Sequence, residues 1–254
     1  MHARRPSSRQ PRLRFLRLPR LLRRPVTTAT AVTATVVVLV LSNLANNRWA
    51  QNWSLPLSLL ATAVLLAIVY WSGGRWADLG LARATLPRGL WWGLALIGVV
   101  AAGYAVAAAL PVTRGLFEDQ RQSGLSAGEV ALRVLVTVPF GTVLLEEVAF
   151  RGVLFGLLLR SRGPLAATLV SSGLFGLWHI LPSLGLADAK PVLGGAFGDS
   201  ALGAVVVDAG AVLFTALAGC LFCELRRRSG SLLAPMGLHW ATNALGYVFG
   251  FLLR

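Results

Sequence analysis

Seven stretches of this chain are apolar over about the length that crosses a bilayer, and this limits the fold more than any other feature. They run approximately over residues 27–44, 55–71, 90–110, 130–159, 165–181, 202–222 and 232–253. A helical crossing of the hydrocarbon core takes about 20 residues. The expected fold is therefore all-α, a polytopic transmembrane bundle of about seven spans. The fourth run is long for one crossing. A tilted helix would account for it, or a break near Pro139 and Gly141, in which case an eighth element lies there. The first run has a basic flank, as a signal peptide would. Its apolar core is longer than a signal core and no small-x-small site follows before Asn46, so it reads as a retained span.

Composition agrees: 56% of the 254 residues are apolar and 13% charged, against roughly half and a quarter in soluble domains. The net charge of +14 is mostly a tail, because nine of the 24 basic residues are arginines within the first 25 positions, where no acid occurs. The remaining residues carry only +5. A nucleic-acid-binding domain needs its basic side chains on a folded surface, so no nucleic-acid partner is expected. A basic tail beside an apolar span fits a cytoplasmic anchor near anionic lipid. The organisation expected is an Arg-rich cytoplasmic tail over 1–26 and a bundle over 27–254. Every second loop is basic: Arg75, Arg83 and Arg88 in one, Arg160 and Arg162 in the next, Arg226, Arg227 and Arg228 in the third. The loops between them are less basic, with Arg48 alone in the first, Arg114 and Arg121 against Glu118 and Asp119 in the third, and Asp188 and Asp199 against Lys190 in the fifth, which places the N-terminus in the cytoplasm and, for seven spans, the C-terminus outside. Cys220 and Cys223 lie a helical turn apart in an apolar run and read as small buried hydrophobes.

Charged groups within a bilayer are costly and mark function. The fourth run holds Glu146, Glu147 and Arg151. Glu147 and Arg151 are four apart and meet on one helix face, so Arg151 neutralises that carboxylate. Glu146 points about 100° away around the helix, toward a different neighbour. The fifth run holds His179, four residues after Phe175 and beside Trp178. The seventh holds His239 and Asn243, again four apart. The only other histidine is His2, in the tail. At about 1.5 Å per residue, Glu146 lies roughly 21 Å from Arg160, His179 about 24 Å from Gly163 and His239 about 16 Å from Arg228. Measured from the basic loops, the polar residues of three runs fall at similar depth and can share one layer.

A carboxylate with two imidazoles can activate water for attack on a carbonyl, while an Asn amide and an imidazole stabilise the oxyanion. Glu146, His179 and His239 could instead hold a divalent zinc that polarises the carbonyl. Either route is amide hydrolysis in a partly dry cavity.

These residues resemble a known family. Glu146-Glu147-x-x-x-Arg151, Phe175-x-x-x-His179 and His239-x-x-x-Asn243 are similar, in order and spacing, to the three motifs of the CAAX-protease and bacteriocin-processing family. This is the CPBP or Abi group, which includes the type II CAAX prenyl endopeptidases. Asp78-Leu79-Gly80-Leu81 and the approach Arg228-Ser229-Gly230-Ser231-Leu232-Leu233-Ala234-Pro235 also look like the family, and the likeness covers about residues 76–246. The resemblance implies an intramembrane endopeptidase. Glu146 and His179 would activate water, His239 and Asn243 would stabilise the oxyanion, and Glu147, Arg151 and Phe175 would support them. Family members are commonly labelled metalloproteases; a metal-free, glutamate-activated water is favoured here because the strong ligands are one Glu and two His, outside a His-Glu-x-x-His pattern. One lysine against 23 arginines suggests a GC-rich bacterial genome, so the expected substrate is a peptide or membrane protein in a bacterial cell membrane, with prenylation left open. Two other readings remain at this point: a non-catalytic scaffold or bacteriocin-immunity factor on the same fold, and a proton-coupled transporter using Glu146 and His179 as a relay. Gly152–Gly156 and Gly246–Gly250 have a spacing that permits close helix contacts within a bundle or between chains, leaving the oligomeric state open.

Overall fold

The computed structural model describes residues 26–197 and 200–254. The tail expected over 1–26 lies outside them except for its last residue, as do Gly198 and Asp199. Among the described residues every regular element is helical. Seven long helical segments follow one another: α1 (Thr28–Leu44), α2 (Ser54–Trp71), α3 (Leu86–Ala109), α4 (127–162), α5 (164–178), α6 (Ala201–Ser229) and α7 (Leu233–Leu252). Short helical turns fill the connections after α3 and α5.

Four stretches are long and apolar enough by themselves to cross a membrane: Thr28–Trp49, Gln51–Trp71, Arg83–Ala109 and Ala201–Ser229. The remaining three, α4, α5 and α7, carry the ionisable residues singled out above. Outward surfaces elsewhere are strongly apolar: Trp91, Val99, Leu202 and Phe214 are among the exposed large side chains. Such a surface needs lipid, not water, as its neighbour.

The sequence allowed a break near Pro139 with an eighth element behind it. In the structure the helical assignment of α4 is uninterrupted through Pro139. Proline removes an N–H and crowds the carbonyl four residues back. Here the helix opens into wider turns with i→i+5 hydrogen bonds over Arg133–Val143 and again over Val148–Leu154, so the helical run continues past the ring. The chain reverses at Gly163, whose φ of 79° suits glycine, followed at once by Pro164.

Small residues set the helix crossings. Added Cβ atoms would come within 2.6 Å of Gly93 Cα at Gly237, and within 2.8 Å of Val212 O at Gly176. These contacts draw α7 against α3 and α5 against α6. Gly152 and Gly156 meet Leu79 and Asp78 of the same chain, and Gly250 meets Phe117, so these GxxxG glycines serve contacts within the bundle.

The connections sort by charge. At one end Arg160 pairs with Asp78 at 3.2 Å, Arg226 donates to the carbonyls of Ala77 and Asp78, and Leu232 N donates to Gly80 O at 2.9 Å. The three basic loops thus meet on one side. At the other, Lys190 lies 3.6 Å from Asp119, and Arg254 donates to Leu125 O at 2.7 Å. Burial there raises the Asp119 carboxyl, but hydrogen bonds and charge from Arg121, with the charge of Lys190, outweigh it and hold it below the usual carboxylate range. This clamp therefore holds at neutral pH and is released as pH falls through the lowered value.

A Gly237→Ala substitution forces backbone apart where α3 and α7 cross, and overpacking of this kind costs about 1–3 kcal/mol. Purified protein in detergent should unfold at lower temperature than wild type. Gly246→Ala, whose Cβ meets nothing within 4 Å, should not lower it.

Candidate active site

The site lies on α4, α5 and α7. Between the two wide-turn stretches of α4 a short ordinary helical turn, Leu144–Glu147, carries both carboxylates. Wide turns of this kind often occur at functional sites. Neighbouring residues on a helix point in different directions, and Glu146 and Glu147 have different partners.

Glu147 is wholly buried. Its Oε1 accepts from Arg151 Nη1 at 3.1 Å, one turn along the same helix, and contacts His239 Nδ1 at 2.8 Å. Arg151 is equally buried, its guanidinium lying 3.9 Å from the Phe175 ring centroid and 4.6 Å from that of Phe222. Aromatic faces carry negative charge density and stabilise a desolvated cation. Arg151 Nε and Nη2 and Glu147 Oε2 have no hydrogen-bond partner in the structure, so the rings and the single short ion pair bear most of the stabilisation.

Glu146 is 6% exposed. Its Oε1 accepts from the indole Nε1 of Trp178 at 3.0 Å. Its Oε2 is buried without a hydrogen-bond partner, 4.0 Å from His179 Nε2 and 3.7 Å from His239 Nε2. These separations are too long for direct hydrogen bonds and suit a shared water. Both imidazoles are oriented from behind. His179 Nδ1 is 2.8 Å from Phe175 O, a carbonyl that can only accept, so this nitrogen carries a proton. His239 Nδ1 likewise faces the Glu147 carboxylate. Both Nε2 atoms are thereby turned toward Glu146. Phe175 and Phe222 wall the rings, with Phe175 edge-on to His179 at 4.6 Å and Phe222 stacked on His239 at 5.4 Å.

The structure thus brings Glu146, His179 and His239 together, with Glu147, Arg151 and Phe175 directly behind them. Asn243 lies one turn beyond His239 on α7 and is half-buried. Trp178 and Phe222 were not assigned roles from sequence. An indole or a phenyl ring on an apolar helix looks like packing, and only the neighbouring helix shows what it holds.

Glu146, His179 and His239 are the side chains that could serve as zinc ligands. Tetrahedral N and O ligands at 2.0–2.2 Å from zinc lie roughly 3.3–3.6 Å apart. The present spacing is wider, and no group of three or more His, Cys, Asp or Glu among the described residues forms a metal site. The distances from Glu146 Oε2 to the two Nε2 atoms, 4.0 and 3.7 Å, would have to close slightly for these three side chains to hold the ion.

Removing one partner of a buried ion pair leaves the other charge uncompensated, at about 3–5 kcal/mol. Arg151→Met should therefore sharply lower the yield of folded protein. Adding Glu147→Gln to it should recover part of the loss, measured as monodisperse protein after extraction. Independent effects, with the double variant worse than either single, would contradict the coupling.

Residues 128–245 match the family model described as type II CAAX prenyl endopeptidase Rce1-like. No curated protein and no solved structure matches the chain. The matched stretch begins at the start of α4 and includes all seven residues named from the motifs, while α1, α2 and α3 lie outside it. The apolar helices and the family together point to an integral membrane protein with CAAX-type protease activity. Over residues 128–245 the chain carries an Rce1-like domain, of the type II CAAX prenyl endopeptidase kind.

Proposed function

We propose that this protein is an intramembrane endopeptidase that hydrolyses a peptide bond with a water held by Glu146, His179 and His239. The observation that carries the reading is the buried Oε2 of Glu146, which has no partner and faces two imidazole nitrogens at 3.7 and 4.0 Å. A water in that gap donates one hydrogen to Glu146 Oε2 and the other to His179 Nε2. Its lone pair is then directed at a substrate carbonyl. Glu146 takes the proton as the C–O bond forms and returns it to the leaving amine as the C–N bond breaks. His239 and Asn243 donate to the oxyanion.

Position supports the role of His239: Glu147 at Nδ1 orients the ring and turns its Nε2 toward the water position, as a carboxylate behind an imidazole does in serine proteases. Arg151 holds Glu147 in place, and Phe175 and Phe222 keep water away from the ion pair.

The substrate would be a peptide or the end of a membrane protein reaching the site from the lipid or from the side of the basic loops. With basic loops facing the cytoplasm, the N-terminus is cytoplasmic, and a bacterial cell membrane is the setting that fits the arginine-rich composition. No nucleic acid is involved, and nothing in the reading requires a prenyl group on the substrate.

Glu146→Gln keeps the shape and removes the base. Comparing membrane peptides from cells making wild type or this variant should reveal species cleaved only by wild type. With one of these as substrate in liposomes, Glu146→Gln should lose at least about 10²-fold in rate, the scale of general-base catalysis. A zinc chelator and a serine-directed inhibitor should leave wild type unaffected. Normal cellular function in both Glu146→Gln and His179→Ala at wild-type protein levels would instead support a non-catalytic scaffold. Chelator inhibition reversed by zinc would replace the metal-free route.

A further inference from the structure

In an α-helix each carbonyl accepts from the N–H four residues on. For Trp178 that residue is Pro182, which has no N–H. The carbonyl lies where α5 gives out, at His179, with φ −86° and ψ 1°. An unpaired carbonyl inside a membrane protein is strongly disfavoured. Here it is met from another helix: Asn43 Nδ2, near the end of α1, donates to Trp178 O at 2.8 Å. Asn43 is 9% exposed, in a stretch otherwise dominated by Val, Leu and Ala. Neighbouring polar residues fix this end of α1: Asn47 Nδ2 donates to Asn43 O at 2.9 Å, and Asn46 Nδ2 to Ser58 Oγ of α2 at 3.3 Å.

Trp178 is not a bystander. Its indole N–H holds Glu146 Oε1 at 3.0 Å, and His179 is the next residue in the chain. One relay therefore runs from the Asn43 amide to the Trp178 carbonyl, and from the Trp178 indole to the carboxylate whose other oxygen faces the water position. We propose that Asn43 is a positioning residue: by supplying the donor that Pro182 lacks, it fixes the end of α5 and so aims both Glu146 and His179. This makes α1, which lies outside the family-matched stretch 128–245, part of the active-site framework. The inference rests on the proteolytic reading for its kinetic consequences, while the structural link stands independently.

The test uses the full chain with Asn43→Leu, near in size but without a donor, and Asn43→Gln, which keeps one on a longer arm. On a substrate cleaved by wild type, Asn43→Leu should lower kcat roughly 10–100-fold, the range for small misplacements of catalytic groups, with KM within about twofold because the residue touches no substrate. Asn43→Gln should recover part of it. In a Trp178→Phe background, lacking the indole N–H, the part of the Asn43→Leu loss that runs through Glu146 should vanish, so the fold loss should be smaller. Wild-type kcat in Asn43→Leu, or an equal fold loss in both backgrounds, would overturn the proposal. An activity-independent arm uses 5-fluorotryptophan labelling with 19F NMR, the Trp178 signal being assigned by its absence in Trp178→Phe. Glu146→Gln should shift that signal in otherwise wild-type protein and have little effect once Asn43→Leu is present. An unchanged response would overturn the link. Should wild type cleave nothing, the proteolytic reading fails, and the NMR result alone decides the role of Asn43.

Discussion

The site depends on keeping two adjacent carboxylates inside an apolar interior. Burying a charge is expensive unless it is paired and hydrogen-bonded, and Glu146 and Glu147 are consecutive residues on one helix. The structure meets the cost by giving them separate environments. Glu147 is bound to Arg151 and His239, and Arg151 is held between two phenyl rings. Glu146 receives one indole hydrogen bond and keeps its other oxygen free. One carboxylate is thus committed to structure and the other left available for chemistry. The same ion pair that stabilises the bundle orients the imidazole facing the free oxygen, so stability and site geometry are not separable here.

The helices are shaped to permit this. The wide turns on either side of Leu144–Glu147 alter the register of α4 without interrupting it, so the segment passes Pro139 and still presents both carboxylates to the interior. Glycines let α7 approach α3 and α5 approach α6 more closely than any side chain would allow. Close approach matters because the gap between Glu146 and the imidazoles is only about one water wide, a separation at which shifts of an ångström are felt. Ser171 adds a cross-link at the same level, donating to Phe150 O at 2.7 Å across the α4–α5 contact.

The helices outside the matched family domain are structural partners of the site. Ala31 and Leu39 of α1 and Leu65 of α2 belong to the same buried cluster as Phe150 and Phe175. Asn43 reaches the carbonyl of Trp178 from α1. Beneath the site Arg226 and Gly80 join the connections at the basic end. An added Cβ at Gly80 would lie within 2.3 Å of the Arg226 guanidinium carbon, so the turn bearing Asp78-Leu79-Gly80-Leu81 has a packing reason for its glycine.

Much of this was legible in the sequence. Long apolar runs dictate helices in lipid, because a backbone without water must satisfy itself, and the alternation of basic loops places three of them together. The cost of charge in a membrane singles out Glu146, Glu147, Arg151, His179 and His239 before any geometry is known. Spacing alone pairs Glu147 with Arg151, since both lie on one helix at i and i+4. Contacts between helices are not encoded at any fixed spacing, and those were decided by tertiary structure. The continuity of α4 through Pro139 rests on wide turns that no residue spacing announces. That Glu147 also anchors His239, that Trp178 holds Glu146, and that Asn43 replaces the donor missing at Pro182 depend on side chains brought together from distant stretches. A sequence shows which groups are too costly to be idle in a bilayer; only packing determines which of them meet.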